Sequence, residues 1–267
     1  SKFNKMISIS GFSTRNYILI SGASSGFGLA TAKLFAKNSW DLILTGRRKE
    51  RLDSIKAEIL VENPEIDIIL LNFDIQIKAE VEKNIQSLPI EVLKKIKILL
   101  NNAGLALGRN SIDNGDVKDW EQMIDTNVKG LLYLSREIIP YFKENKAGHI
   151  VNISSIAGKE VYPEGNVYCA SKHAVDALSK AMRMDLLPYN IKVTNIAPGA
   201  VNTEFSLVRF KGNQTTADAM YNGFEPLVAE DIAETIYFVC SRPAHVNIND
   251  LVIVPTAQAS SSVFYKK

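Results

Sequence analysis

Tyr17-Ile18-Leu19-Ile20-Ser21-Gly22-Ala23-Ser24-Ser25-Gly26-Phe27-Gly28 decides how the rest of the chain is read. Four apolar residues make a short strand, the glycines turn the chain, and a helix-patterned segment follows to about residue 38. In such a unit the glycines let the backbone turn tightly and approach a pyrophosphate, whose charge meets the amides at the helix N-terminus. Gly22, Ser24, Ser25, Gly26, Phe27 and Gly28 are therefore candidate cofactor contacts. The spacing G-x-x-x-G-x-G differs from the commoner G-x-G-x-x-G and lacks the lysine of a P-loop.

Outward from this unit, apolar segments recur roughly every 20 to 30 residues as far as Val254, with no linker, charge block or internal repeat between them. One α/β domain over 17–254 is expected, with an N-terminal extension at 1–16 and a polar tail at 255–267. The 31 basic and 29 acidic residues of the 267 are well mixed, leaving +2, so no basic stripe argues for nucleic acid. Cys169 and Cys240 fit no metal or redox spacing, and His149, His173 and His245 lie scattered. No metal site is expected, and the thiols suit a reducing cytoplasm. The first sixteen residues carry Lys2, Lys5 and Arg15 without a signal-length apolar stretch, and no apolar run is long enough to span a bilayer. A soluble, unsecreted protein without membrane or nucleic-acid partners is expected.

The second strand, 41–45, ends at Gly46-Arg47-Arg48, where the adenosine ribose of a dinucleotide is expected. An acidic residue there would accept the 2′-hydroxyl of NAD and repel a 2′-phosphate. Glycine and two arginines favour NADP, although Arg47-Arg48-Lys49-Glu50-Arg51 can also be read as the charged first turn of a surface helix. A strand over 66–73 leads to Asp74-Ile75, where the carboxylate either accepts from an adenine amine or caps the next helix. Strand 96–100 runs into Asn101-Asn102-Ala103-Gly104, small and amide-rich, suited to holding backbone close to a flat cofactor. The periodicity then predicts one long amphipathic helix over 117–143. Asn127 inside it is a poor helix former, which invites a hydrogen-bonding explanation unless it lies on the exposed face.

The apolar run 149–154 reads as a buried strand delivering Ser155 at its C-terminal edge, and thirteen residues on comes Tyr168-Cys169-Ala170-Ser171-Lys172. Tyr168 and Lys172 share one helix face. An ammonium at ~4 Å interacts with a phenolate by ~4 kcal/mol at an effective dielectric of ~20, enough to move a tyrosine down by ~3 units toward neutrality. The pair could therefore act as acid or base, with Ser155 holding a carbonyl against Tyr168. Past strand 191–196, Pro198-Gly199-Ala200-Val201-Asn202-Thr203 breaks regular structure at another strand end, placing Pro198, Gly199, Val201 and Thr203 near a nicotinamide. The mixed stretch 204–224 reads as a mobile cover, followed by a helix near 231–240 and a strand at 251–254. Arg209 lies between Leu207-Val208 and Phe210; closing the cover would bring its guanidinium to a substrate carboxylate. Lys211 is the second candidate, and a surface arginine following a helix turn is the plain alternative.

Together the glycine turn, Asn101-Asn102-Ala103-Gly104, Asn127, Ser155, Tyr168/Lys172 and Pro198-Gly199 strongly resemble the short-chain dehydrogenase/reductase family over essentially 17–254. The resemblance implies a single Rossmann domain with a seven-stranded parallel sheet between helices, hydride transfer between NADP and a carbinol carbon, and a homotetramer built through the long helices. It implies Tyr168 as proton donor and acceptor and Lys172 as the group that depresses its pKa and holds the nicotinamide ribose. Ser155 would orient the substrate oxygen, and Asn127 would position a water. Cys169 beside Tyr168, the stretch 205–213 and Pro243-Ala244-His245-Val246-Asn247-Ile248 are similar to the NADP-dependent 3-hydroxy acid dehydrogenases, which oxidise serine, allo-threonine and 3-hydroxy acids or reduce malonic semialdehyde. Ser25 departs from the basic residue many NADP-using relatives carry there, which puts more weight on Arg47 and Arg48. Two other readings stand beside this one: a reductase of a neutral ketone or aldehyde such as a sugar, steroid or acyl substrate, and a non-catalytic NADP sensor, which a broken catalytic set would mark.

Overall fold

The computed structural model describes residues 15–267; the N-terminal extension expected at 1–16 lies almost wholly outside the described residues. Seven strands form one all-parallel sheet in the order β3-β2-β1-β4-β5-β6-β7. They are β1 (Tyr17–Ile20), β2 (Asp41–Gly46), β3 (Ile68–Asn72), β4 (Ile96–Asn101), β5 (Gly148–Ile153), β6 (Ile191–Pro198) and β7 (Asp250–Ile253). Side chains alternate across the sheet and build a core on each face. Tyr17 and Leu19 of β1 join one cluster with Ile85, Leu134, Ile138 and Phe142, while Ile18 and Ile20 join the other with Phe35, Leu52 and Ile236. With both faces covered, β1 is apolar throughout, as a strand buried on both sides of a parallel sheet requires.

The strand order reverses at β1, which has β2 on one side and β4 on the other. Ligands of such sheets bind in the crevice beyond the strand ends at that reversal. The glycine turn and α1 (Gly26–Lys37) leave β1 there, and Asn102-Ala103 leaves β4 beside them. The backbone amides of Asn102 and Ala103 both donate to Ser21 Oγ at 3.0 Å, and Asn102 Nδ2 donates to the carbonyls of Ser21 and Gly22 at 2.9 and 3.1 Å. Gly22 adopts φ +66° and Gly26 φ +51°, conformations that other residues adopt only with strain. A Cβ on Gly28 would meet the Gly22 carbonyl and stand 2.7 Å from Asn102 Nδ2, so Gly28 serves this close packing.

The remaining helices are α2 (Lys49–Glu62), α3 (Lys78–Gln86), α4 (Ile90–Lys95), α5 (Val117–Ile124), α6 (Leu131–Asn145), α7 (Asn166–Leu186), α8 (Glu204–Arg209), α9 (Gln214–Ala219) and α10 (Ala229–Cys240). The single helix expected over 117–143 is therefore two helices joined by a π-turn, Asp125–Gly130. The wide turn follows from Asn127, which is buried and reaches sideways to the 104–106 loop instead of facing solvent. The stretch 255–267 folds back on the domain: Lys267 N donates to Gly223 O at 2.9 Å, and Phe264 packs 5.0 Å from Phe224, ring centroid to ring centroid. Among the described residues no helix is long and apolar enough to cross a membrane.

Candidate functional site

A cavity of about 1320 Å³ runs along the strand ends from Arg47 and Arg48 to Tyr168 and on to the 204–224 and 255–267 segments. Of the residues singled out in the sequence, Gly22, Ser24, Ser25, Gly26, Phe27, Arg47, Arg48, Asp74, Ile75, Asn102, Ala103, Gly104, Ser155, Tyr168, Lys172, Pro198, Gly199, Val201, Thr203 and Arg209 all line it. Asn101 does not: it is buried beneath the sheet end, donating to Ser135 Oγ at 2.9 Å and Asn152 Oδ1 at 2.8 Å. Strand alternation explains this, because Asn101 falls on the same face as Leu99 and only Asn102, one residue on, turns toward the crevice. Gly28 and Lys211 also lie off the cavity wall; Lys211 pairs with Asp119 at 2.9 Å and Asp116 at 3.8 Å on the far side of the cover.

At the nucleotide end, Arg48 donates through Nε and Nη2 to Ser24 Oγ at 3.3 and 3.0 Å and through Nη2 to Ser25 Oγ at 3.1 Å. Arg47 stands 3.7 Å from Asp74 Oδ2, largely exposed. Asp74 Oδ1 accepts from the Gln76 amide at 3.0 Å and so tightens the turn ahead of α3; the residue preceding that helix is Ile77, not Asp74. Guanidinium groups and hydroxyls around a glycine turn are a donor set for phosphate. The residues present thus fit a dinucleotide with a 2′-phosphate.

At the other end, β5 delivers Ser155, whose hydroxyl accepts from Ala157 N at 3.1 Å, donates to Pro198 O at 3.4 Å and meets the Tyr168 phenol. A Cβ on Gly158 would stand 2.6 Å from the Lys172 carbonyl, so that glycine lets the serine turn press against α7. Lys172 Nζ lies 6.0 Å from the Tyr168 ring centroid and donates to Ile153 O at 2.9 Å. Burial pushes the Lys172 ammonium down to about 8. Burial also pushes the Tyr168 phenol well above its usual range, with Tyr162 adding to the rise, while the Ser155 hydrogen bond and the Arg209 charge work against it. In this geometry desolvation dominates, and the lowering by Lys172 expected from helix spacing is not among the influences on the phenol; Arg209 supplies the charge that works against burial. Asn127 accepts from Leu105 N at 2.8 Å and donates to Leu105 O at 2.8 Å and Ser171 Oγ at 3.0 Å; its amide fixes the loop behind Gly104.

Arg209 is 6 % exposed, and its guanidinium carbon sits 5.5 Å from the Tyr168 ring centroid and 5.6 Å from that of Tyr162. Among the described residues its Nε has no hydrogen-bond partner. The cover that carries it is tied at Gly108, whose amide donates to Arg209 O at 3.0 Å, and at Asp119 through Lys211. Several lining residues carried no sequence signal: Tyr162, Arg109, Tyr221, and Gln258, Phe264 and Lys266 from the C-terminal stretch. Gln258 Oε1 accepts from Ala200 N at 2.8 Å, which fastens that stretch to the strand end bearing Gly199.

The model of the short chain dehydrogenase family matches residues 16–213. Sulfoacetaldehyde reductase 2 of Chromohalobacter salexigens is 45 % identical over 246 residues, 92 % of this chain and 96 % of the relative. Serine 3-dehydrogenase of Agrobacterium fabrum is 44 % identical over 242 residues, 91 % of this chain and 94 % of the relative. The NADP-dependent 3-hydroxy acid dehydrogenase YdfG of Escherichia coli K12 is 43 % identical over 243 residues, 91 % and 96 % of the two chains. The solved closed form of serine dehydrogenase complexed with NADP⁺ superposes with a TM-score of 0.88 at 41 % identity, covering 94 % of this chain and 99 % of that one.

Proposed function

The chain belongs to the short-chain dehydrogenase family, and within it we propose that it transfers a hydride between NADP(H) and a small 3-hydroxy acid or the matching semialdehyde, such as serine, allo-threonine or 3-hydroxypropionate. The observation that carries the substrate class is Arg209: a guanidinium over the reacting phenol, almost fully buried, with an Nε that finds no partner among the described residues. A buried cation without a carboxylate partner is costly unless an anion arrives with the substrate. Lys211, paired with Asp119, does not compete for that role.

NADP would be held by the glycine turn, by Ser24, Ser25, Arg47 and Arg48 at its ribose phosphate, and by Asn102, Gly104, Lys172, Val201 and Thr203 along its length. When bound it supplies or accepts the hydride. Tyr168 and Ser155, neighbours on the cavity wall, grip the substrate oxygen between them. In reduction, Tyr168 gives its proton to that oxygen, and burial keeps the phenol protonated and ready to do so. In oxidation the phenolate form of Tyr168, stabilised by the charges of Arg209 and Lys172, takes the proton from the substrate hydroxyl. The 204–224 segment, with 255–267 behind it, is the cover that excludes water from this step.

The relatives also favour a second anion. Two sulfoacetaldehyde reductases of Chromohalobacter salexigens are 45 % and 44 % identical to this chain, and a sulfonate offers the same guanidinium three acceptor oxygens. The test is NADPH oxidation against a panel of malonic semialdehyde, sulfoacetaldehyde and neutral aldehydes, with the reverse reaction on serine and 3-hydroxypropionate. Turnover confined to the anionic compounds supports the reading, and the better of the two anions names the substrate; preference for the neutral aldehydes moves the neutral-ketone reading first. The same reading makes the protein a cytoplasmic homotetramer, supported by the free thiols of Cys169 and Cys240 and by exposed Leu132 and Met184 on the long helices α6 and α7, apolar side chains that a partner copy would cover.

A further inference from the structure

Glu204 opens α8 and Arg209 stands in its last turn, so one six-residue helix joins the two ends of the cavity. The Glu204 carboxylate reaches back to the nucleotide end. Its Oε1 accepts from Arg51 Nη2 at 2.5 Å, and its Oε2 accepts from Nη1 and Nη2 of Arg48 at 3.4 Å each. Arg48 is the guanidinium that also holds the hydroxyls of Ser24 and Ser25 at the glycine turn. Burial pushes the Glu204 carboxyl upward, but the hydrogen bonds and charges of Arg51 and Arg48 outweigh it and hold the group below the usual carboxylate range. The site therefore contains an anion at neutral pH, gripped by two arginines beside a pair of hydroxyls.

That is the chemistry a ribose 2′-phosphate would meet. Resting on the NADP reading above, we propose that Glu204 is the chain's own stand-in for the 2′-phosphate: the incoming phosphate takes Arg48 and Arg51 from it, which makes Arg51 and Glu204 determinants of cofactor choice. Two anions cannot share one guanidinium edge without repelling each other, and the phosphate carries the larger charge and more acceptors. NAD has no group to displace the carboxylate, so the latch between α8 and the arginines stays closed on the wrong cofactor. With the right one, the first turn of α8 is released while its last turn still presents Arg209 over Tyr168. Arg51 follows Arg48 by three residues and so lies beside it at the start of α2.

The test is calorimetric binding of adenosine 2′,5′-bisphosphate and adenosine 5′-monophosphate, probes that cannot turn over, to wild type, Glu204→Gln and Arg51→Met. Removing the competing charge should tighten the bisphosphate by about fivefold or more and leave the monophosphate within about twofold. Arg51→Met should weaken the bisphosphate alone, by about tenfold. Glu204→Ser serves as a second neutral variant, and thermal melts confirm that each is folded. If wild type prefers the bisphosphate but Glu204→Gln and Glu204→Ser bind it no better, the stand-in is wrong and the NADP reading survives. If wild type binds both probes equally, the NADP reading fails and takes this proposal with it.

Discussion

Replacing Arg209 by Met keeps most of the aliphatic packing against Tyr162 and Tyr168 and removes only the charge and its donors. Two consequences follow from the geometry, and they differ in size. The first falls on every substrate: the guanidinium lies 5.5 Å from the Tyr168 ring and helps to offset the burial of the phenol, so its loss raises the pKa of that group further. A unit charge at that distance, in a site between the dielectric of water and that of a protein surface, is worth about 1 kcal/mol or roughly fivefold in rate. The second falls only on substrates carrying an anion. A charge-assisted, near-bidentate contact contributes about 2–3 kcal/mol, a further 30- to 150-fold. The assay is kcat/KM for L-serine or 3-hydroxypropionate beside an uncharged alcohol of similar size, in wild type and Arg209→Met. The acid should lose a few hundredfold and the alcohol about fivefold. A parallel fall for both, or none for either, refutes the clamp and leaves Arg209 as a packing residue of the cover.

Neutralising Arg47 and Arg48 together should cost NADPH binding roughly 2–4 kcal/mol and barely change NADH, with the gap narrowing at high salt because both side chains are about half exposed; equal losses in a fluorescence titration would make the pair structural. Gly158→Ala forces a methyl group against Ser154 Oγ and the Lys172 carbonyl, so it should lower unfolding free energy by about 1–3 kcal/mol in a denaturant titration and depress turnover as Ser155 and α7 are pushed apart. Lys172 holds a folded-state pKa of about 8 against 10.5 for the free side chain, so the unfolded chain binds the extra proton between those values and stability rises with pH there. Between about pH 7.5 and 10, the cofactor-free wild type should therefore gain about 2.4 kcal/mol relative to Lys172→Met in chemical unfolding; a flat difference would place the ammonium in water instead of in the protein interior.

Much of this site was legible because its parts fall at strand ends, where residue type reports function more than packing. The glycine turn after β1, the arginines after β2 and Ser155 after β5 could each be placed by finding where an apolar run stops. Asn101 lies in the core and not against the crevice because side chains alternate across a strand: it belongs with Leu99 and meets Ser135 and Asn152, while Asn102 clamps the glycine turn. Asn127 itself, a poor helix former, is the one sign of the π-turn in the sequence, since the apolar periodicity predicts a single helix over 117–143. Arg51 could have been found from its spacing to Arg48, but its role needs Glu204, a partner 153 residues away. The contribution of 255–267 also rests on contacts remote in sequence, such as Ser261 N to Glu160, and a short polar segment without periodicity gives no hint of them.

The proposed mechanism turns on Tyr168 as the group that moves the proton. Tyr168→Phe keeps the ring that packs against Phe205 and Arg209 and removes only the hydroxyl that meets Ser155. Nicotinamide absorbance should show turnover falling by about a thousandfold or more, since general acid–base assistance contributes on that order, while fluorescence titration places NADPH affinity within about threefold of wild type, a difference under 1 kcal/mol. Wild-type turnover in the Phe variant, with NADPH bound as tightly as before, would contradict the mechanism.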